Sequence, residues 1–139
     1  MFKKLKQWRN ERKISKANYK LFCENIIEEL LEPLYDKEVV KEIKKQIVNN
    51  WFDVNPKSEN DIIDTICDIS VFSINEAENM NYDFEKSMDE TIKEISSRKQ
   101  SPIQKEIWEK WGYDNTKWEK DKNQPKETLY KANYESCRV

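Results

Sequence analysis

An all-α fold is what this sequence predicts, and three observations carry the prediction. Only one glycine occurs in 139 residues, and charged residues make up 37 % of the chain. Most of those charges are lysine and glutamate, which are good helix formers. Apolar residues also recur at three-and-four spacing in several windows, the period of an amphipathic helix. The expected architecture is a bundle of about four to five helices followed by an irregular C-terminal tail.

The first helix is expected over about Phe2 to Arg12, within MFKKLKQWRNERK. A second starts at Ser15 or Lys16 and runs to Leu34, with Tyr19, Phe22, Ile26, Ile27, Leu30 and Leu31 on one side. Pro33 should end or bend it, because proline lacks the N–H of the helical ladder. A third helix, from about Asp36 to Phe52, places Val39, Val40, Ile43, Ile47, Val48 and Trp51 on its apolar side. NPKSEN then interrupts the pattern, with Ser58 suited to cap the next helix. That fourth helix covers about Glu59 to Met80, and NYD leads into a fifth from about Asp83 to Lys99.

Ser101 and Pro102 mark the end of a helical domain spanning residues 1–100. Residues 101–139 add a short helix near Ile103 to Trp111 and a polar stretch. That stretch retains Trp118, Tyr130 and Tyr134, an aromatic content foreign to disordered linkers, so the tail should pack on the same domain.

Composition excludes several functional classes. With Gly112 as the sole glycine, neither a Walker loop nor a Rossmann fingerprint exists, so phosphate binding must rely on side chains and metal. The absence of histidine removes Ser-His and Cys-His catalysis and the usual ligand of catalytic zinc. General base work then falls to a carboxylate or to metal-bound hydroxide. A net charge of −2, with signs interspersed, argues against nucleic acid or anionic membrane as partner. Cys23, Cys67 and Cys137 are widely spaced and form no CxxC pair, which suits reduced thiols in a cytoplasmic protein. The N-terminus has no apolar signal core, and no run approaches the length of a membrane span.

The segment DIIDTICDISVF, Asp61 to Phe72, sets aspartates among isoleucines, where an unpartnered carboxylate is costly. On a helix, Asp61, Asp64, Asp68 and Asn75 share an arc about 60° wide, flanked by Val71 and Phe72. Such a narrow stripe resembles a row of groups lining a polar pocket more than a solvated face. In ENIIEELLEPL, Glu24, Glu28, Glu29 and Glu32 form a broader row, which by itself reads equally as a solvated face. Facing each other, the two rows would make an oxygen-rich site for Mg²⁺, with Mn²⁺ the alternative. The lack of imidazole argues against zinc or di-iron.

These motifs resemble those of the MazG-like all-α nucleoside triphosphate pyrophosphohydrolases. EELLE matches the EExxE of that family, and DISVFSIN reproduces the spacing from its following aspartate, Asp68, to an asparagine, Asn75. SMDETIKEISSRK resembles the next family helix, whose lysine and arginine contact phosphates, here Lys93 and Arg98. QWRNER is similar to the first helix of many members, and YKANYESCR to the tail of phage-type members. The family glutamate of ExxD would fall at Thr65, and Asp64 stands in for it one residue earlier.

The resemblance implies Mg²⁺-dependent conversion of (d)NTP to (d)NMP and pyrophosphate in dimers or tetramers. It implies metal ligands Glu28, Glu29, Glu32, Asp64 and Asp68, with Glu28 or Glu29 as general base. Asn75, Lys93, Arg98 and Trp8 would contact substrate. Trp8 reads alternatively as an anchor of the first helix, Asn75 as a structural cap, and Lys93 and Arg98 as members of a charge-rich surface. Asp61 reads either as an outer partner of the metal site or as a first-turn acid favoured by the helix dipole. A dUTP-specific diphosphatase is the alternative within the class. The alternative outside it is a helical interaction protein using KKLKQWRNERKISK, a run of seven basic residues against one glutamate.

Overall fold

The computed structural model describes residues 1–14, 17–50, 56–114 and 116–139. It is all-α, with six helices among the described residues: α1 Phe2–Glu11, α2 Tyr19–Leu31, α3 Lys37–Asn49, α4 Glu59–Asn79, α5 Phe84–Ser96 and α6 Pro102–Trp111. Two short 3₁₀ turns, Lys126–Thr128 and Tyr134–Cys137, lie in the C-terminal segment. Bridges Tyr82–Arg138 and Gln100–Lys120 are isolated antiparallel pairs outside any strand. No helix among the described residues is long and apolar enough to cross a membrane.

Helix starts follow local chemistry. Asn18 caps α2 by accepting the Leu21 N–H at 3.0 Å, and Asp83 caps α5 by accepting that of Lys86 at 3.0 Å. The positions proposed for the start of α2, Ser15 and Lys16, lie outside the described residues, as do Trp51 and Phe52 at the proposed end of α3. Ser58 accepts the Asp61 N–H at 3.1 Å and donates to its carboxylate at 2.8 Å, closing the N-terminus of α4. Ser101 precedes Pro102, which occupies the first turn of α6, where its missing N–H costs nothing.

Helix ends are equally local. α2 stops at Leu31 rather than Leu34, because the turn that contains Pro33 tightens: both Leu34 and Tyr35 donate to the Leu31 carbonyl, at 3.0 and 3.1 Å. Asn81 leaves α4 at φ 63°, and Gly112 leaves α6 at φ 85°, the conformations that asparagine and glycine adopt most readily.

The chain divides into two compact units, Met1–Ser15 with Val71–Val139, and Lys16–Ser70. In the second, α3 folds back on α2 across a short turn, and Val40 is its buried apolar residue. In the first, α1 and the last 3₁₀ turn both pack on α5, around buried Ile92 and Cys137. The C-terminus is tied in by backbone bonds from Asp83 N–H to the Cys137 carbonyl at 2.8 Å and from Val139 N–H to the Asn81 carbonyl at 3.0 Å.

One side chain organises much of the first unit. Arg12 is only 7 % exposed and donates to the carbonyls of Ile95 and Arg98, at 3.1 and 3.2 Å, around the C-terminal end of α5. Its guanidinium lies 5.3 Å from the Trp8 ring and 4.6 Å from the Trp118 ring. Burial lowers its pKa; Glu11 opposes that shift, and Arg98 adds to it. A cation at the negative end of a helix, held between two aromatic faces, is favourable on both counts.

Candidate functional site

The EELLE motif stands on the last turns of α2, and the reversal at Leu31–Tyr35 brings α3 alongside it. Between the two helices lies a cleft of about 570 Å³, lined by Glu28, Glu32, Tyr35, Lys37, Val40, Lys41 and Lys44. Glu28 and Glu32 are four residues apart and share a face of α2. Lys37, Lys41 and Lys44 repeat at the same period along α3. Lys44 Nζ is 3.1 Å from Glu28 Oε2, with the two side chains 30 % and 44 % exposed. Ion pairs so open to water are worth about 0–1 kcal/mol, so an incoming charged ligand displaces this one cheaply. Glu29, one residue on from Glu28, lies about 100° further around the helix and outside the lining.

The α4 carboxylates are placed differently. Asp61 is engaged with Ser58, which makes it part of the helix cap. Asp64 and Asp68 are exposed, as are the flanking Val71 and Phe72, at 51 % and 69 %. Thr65 is half-buried, and its hydroxyl, like the thiol of Cys23, lies close enough to the Tyr19 phenol to influence it. Cys23 is the main cause of a raised Tyr19 pKa, with burial adding to it and Thr65 opposing it.

Thr65 of α4 thus lies beside Tyr19, at the start of α2. Glu28 and Glu32 lie nine and thirteen residues beyond Tyr19, which is about 13 and 20 Å along the axis of α2. Accordingly, among the described residues no three Asp, Glu or Cys side chains converge as a metal-holding group. The donor chemistry of the α2–α3 cleft nonetheless fits Mg²⁺, which commonly takes one or two carboxylates and fills its remaining positions with water and substrate phosphate oxygens.

The remaining candidates belong to the first unit. Trp8 is half-buried, one face is covered by Arg12, and its buried indole N–H has no hydrogen-bond partner among the described residues. Asn75 is exposed on α4. Lys93 is exposed but engaged: its Nζ lies 3.6 Å from Glu90 and 5.9 Å from the Tyr130 ring. Glu90 is buried and accepts the Tyr130 hydroxyl at 2.9 and 2.6 Å through its two oxygens, a bond that raises the Tyr130 pKa. Arg98 is exposed just beyond α5.

Sequence reasoning overlooked Lys37, Lys41 and Lys44. Two signals were available: their helical spacing, and a connection between Leu31 and Lys37 too short for anything but a helical hairpin. It also counted Arg12 among the free cations of the basic N-terminal run, whereas its guanidinium is turned inward. No family model, no curated protein and no solved structure matches this chain.

Proposed function

We propose that this protein is a Mg²⁺-dependent nucleoside triphosphate pyrophosphohydrolase of the MazG-like kind, converting (d)NTP and water to (d)NMP and pyrophosphate. The observation that carries this reading is the opening of Glu28 and Glu32 of the EELLE motif onto one cleft with Lys37, Lys41 and Lys44. Carboxylates and ammonium groups on facing helices suit a substrate that arrives as a metal–phosphate complex.

In this reading Glu28 and Glu32 hold Mg²⁺ together with water and phosphate oxygens; the resemblance adds Glu29, Asp64 and Asp68 to the ligand set, and among the described residues these do not converge with Glu28 and Glu32. Mg²⁺, or Mn²⁺ in its place, supplies charge neutralisation on the phosphates and lowers the pKa of a bound water. Lys37, Lys41 and Lys44 bind phosphate oxygens and orient the anhydride. Glu28 or Glu29 accepts the proton of the attacking water as its oxygen bonds to phosphorus, while the P–O anhydride bond between the α- and β-phosphoryl groups breaks and its electrons leave with the departing pyrophosphate or nucleoside monophosphate. Lys93, Arg98, Asn75 and Trp8 remain the substrate contacts that the resemblance implies.

Homo-oligomerisation, as dimer or tetramer, is supported by the apolar surface left open on α4. Ile63, Val71 and Phe72 are 59 %, 51 % and 69 % exposed, and no residue of α4 is buried. A cytoplasmic setting agrees with three free thiols, Cys23, Cys67 and Cys137.

The test is a panel of NTPs and dNTPs, dUTP included, assayed for pyrophosphate release with Mg²⁺ and with Mn²⁺. Stoichiometric monophosphate and pyrophosphate are expected from at least one substrate, with loss of activity in EDTA. Absence of release from every nucleotide with either metal would return the protein to the non-catalytic interaction class.

A further inference from the structure

The first unit holds a second cleft, of about 470 Å³, formed where the C-terminal segment crosses the end of α5. Arg98 opens onto it together with Lys120, Lys122, Lys126 and Lys131. Three of the four lysines, Lys120, Lys122 and Lys126, lie outside the motifs that carried the family resemblance, and Lys131 falls within YKANYESCR. Facing these five cations are two carboxylates, Glu94 and Asp121. One oxygen of Asp121 is taken by the N–H of Asn123 at 2.9 Å. Among the described residues none of the five cations forms an ion pair. The positive potential of the cleft is therefore largely uncompensated, and concave walls concentrate it.

The cleft is also built on a fixed frame. Gln124, 8 % exposed, accepts the Lys99 N–H at 2.7 Å and donates to the Ser97 carbonyl and to the Thr128 hydroxyl, each at 3.0 Å. Tyr130 N–H donates to the Ser97 hydroxyl at 2.9 Å, and Asp121 N–H to the Lys99 carbonyl at 2.8 Å. These bonds anchor the backbone that carries the lysines on both sides of the cleft, so little ordering remains to be done when a ligand arrives.

We propose that this cleft binds the oligophosphate group of a small ligand without help from a divalent metal. Five cations call for several negative charges in one compact group, and a guanidinium beside ammonium groups matches phosphate oxygens in both fork and point contacts. The volume falls within the range of small-molecule sites, roughly 300–1,000 Å³. Leu129 and Tyr130 add apolar wall for an organic body. A nucleic-acid strand is disfavoured by the chain's net charge of −2, which supplies no long-range attraction. The proposal concerns the first unit alone and does not depend on hydrolysis at the carboxylates of the second.

The test is calorimetric titration of the full chain in EDTA at low salt, with sodium tripolyphosphate and with ATP as separate probes. Removing the metal removes the bridge between a triphosphate and Glu28 and Glu32, and the double variant at Lys126 and Lys131 tells binding at the first-unit cleft from any that remains at Lys37, Lys41 and Lys44. One-to-one binding that weakens with added salt is expected. The double substitution Lys126→Gln with Lys131→Gln should weaken it about tenfold or more, given the worth of hydrogen bonds to charged groups. Lys105→Gln, on α6 outside the cleft, should leave it unchanged. Both substituted lysines are exposed and unpaired, so the fold should survive, and far-UV circular dichroism checks that. Tighter binding of ATP identifies a nucleotide as the source of the phosphates, and equal or tighter binding of tripolyphosphate identifies a free oligophosphate. Failure of both probes to bind, or binding that the double variant does not alter, overturns the proposal. So does tighter binding of a single-stranded oligonucleotide that the double variant abolishes. None of these outcomes bears on pyrophosphate release with Mg²⁺, which is measured separately.

Discussion

Replacing Arg12 with methionine keeps an unbranched stem between Trp8 and Trp118 but removes the guanidinium. Two charge-assisted hydrogen bonds to the carbonyls of Ile95 and Arg98 are lost. Such bonds are worth about 1.5–3 kcal/mol each, and the low end applies where carbonyls at a helix end can turn to water. The contacts with the two aromatic rings add about 0.5–1 kcal/mol each. Methionine packing between the same rings recovers about 1 kcal/mol, leaving a net destabilisation of about 3 kcal/mol. Urea unfolding followed by tryptophan fluorescence is the suitable assay, since Trp8, Trp108, Trp111 and Trp118 all belong to the first unit. The midpoint should fall by about 1–3 M, given a slope of about 1–3 kcal/mol/M. A loss below about 0.5 kcal/mol would refute the view that Arg12 holds α1 and the C-terminal segment onto α5, since it would put the pair of hydrogen bonds below even one ordinary bond.

Glu32→Gln should abolish pyrophosphate release at unchanged helical content; near-normal turnover would show that Glu32 is not a metal ligand. Lys41→Gln combined with Lys44→Gln should raise KM for the Mg²⁺ nucleotide about tenfold or more, because bonds from charged donors to phosphate are withdrawn, and an unchanged KM would remove α3 from the binding surface. Ser58→Ala should cost about 1 kcal/mol in a urea titration through loss of the α4 cap, while a neutral effect would mean that Asp61 caps the helix unaided. The Glu90 bond raises the folded-state pKa of Tyr130, so its contribution to stability is full below the ordinary tyrosine value of about 10 and is lost as pH rises through the folded value. Urea midpoints measured from neutral to strongly alkaline pH should therefore fall more steeply for the parent protein than for Tyr130→Phe, and identical slopes would exclude the linkage.

What the sequence disclosed depended on the range of the interaction. Ser58 and Asp83 act on their own helix ends, through bonds spanning three residues, so the starts of α4 and α5 were legible, whereas Ser101 and Pro102, read as the end of a domain, also open α6. Pro33 was legible as a breaker, though the tightening that ends α2 before it was not. The aspartates of α4 show the limit. Helical spacing correctly put them in one narrow stripe, but whether a stripe faces a pocket is decided by what packs beside it. Here Asp61 is consumed by a cap, and Val71 and Phe72 beside the stripe are exposed rather than buried. The ties of Gln124 to Ser97 and Lys99 cross 25 to 27 residues, and no local pattern announces them. The order of the tail therefore lay beyond what composition predicts, although its aromatics hinted at it.

A chain with one glycine lacks the loop of backbone N–H groups that cradles phosphate elsewhere, so recognition of such an anion would fall to side chains, and the two clefts offer different inventories for it. The α2–α3 cleft mixes Glu28 and Glu32 with three lysines, while the cleft beside α5 sets five cations against two carboxylates. Carboxylates repel a bare triphosphate but bridge to it through a divalent cation, whereas an excess of cations favours the bare anion and loses attraction once Mg²⁺ has neutralised part of its charge. Raising Mg²⁺ should therefore strengthen nucleotide binding in the second unit and weaken it in the first. Titrating ATP at fixed ionic strength into Glu32→Gln and into the Lys126→Gln, Lys131→Gln variant separates the two sites. Affinity in the first variant should decline with Mg²⁺, and in the second it should rise. The same sign of response in both would mean that the distribution of charge does not divide the clefts in this way.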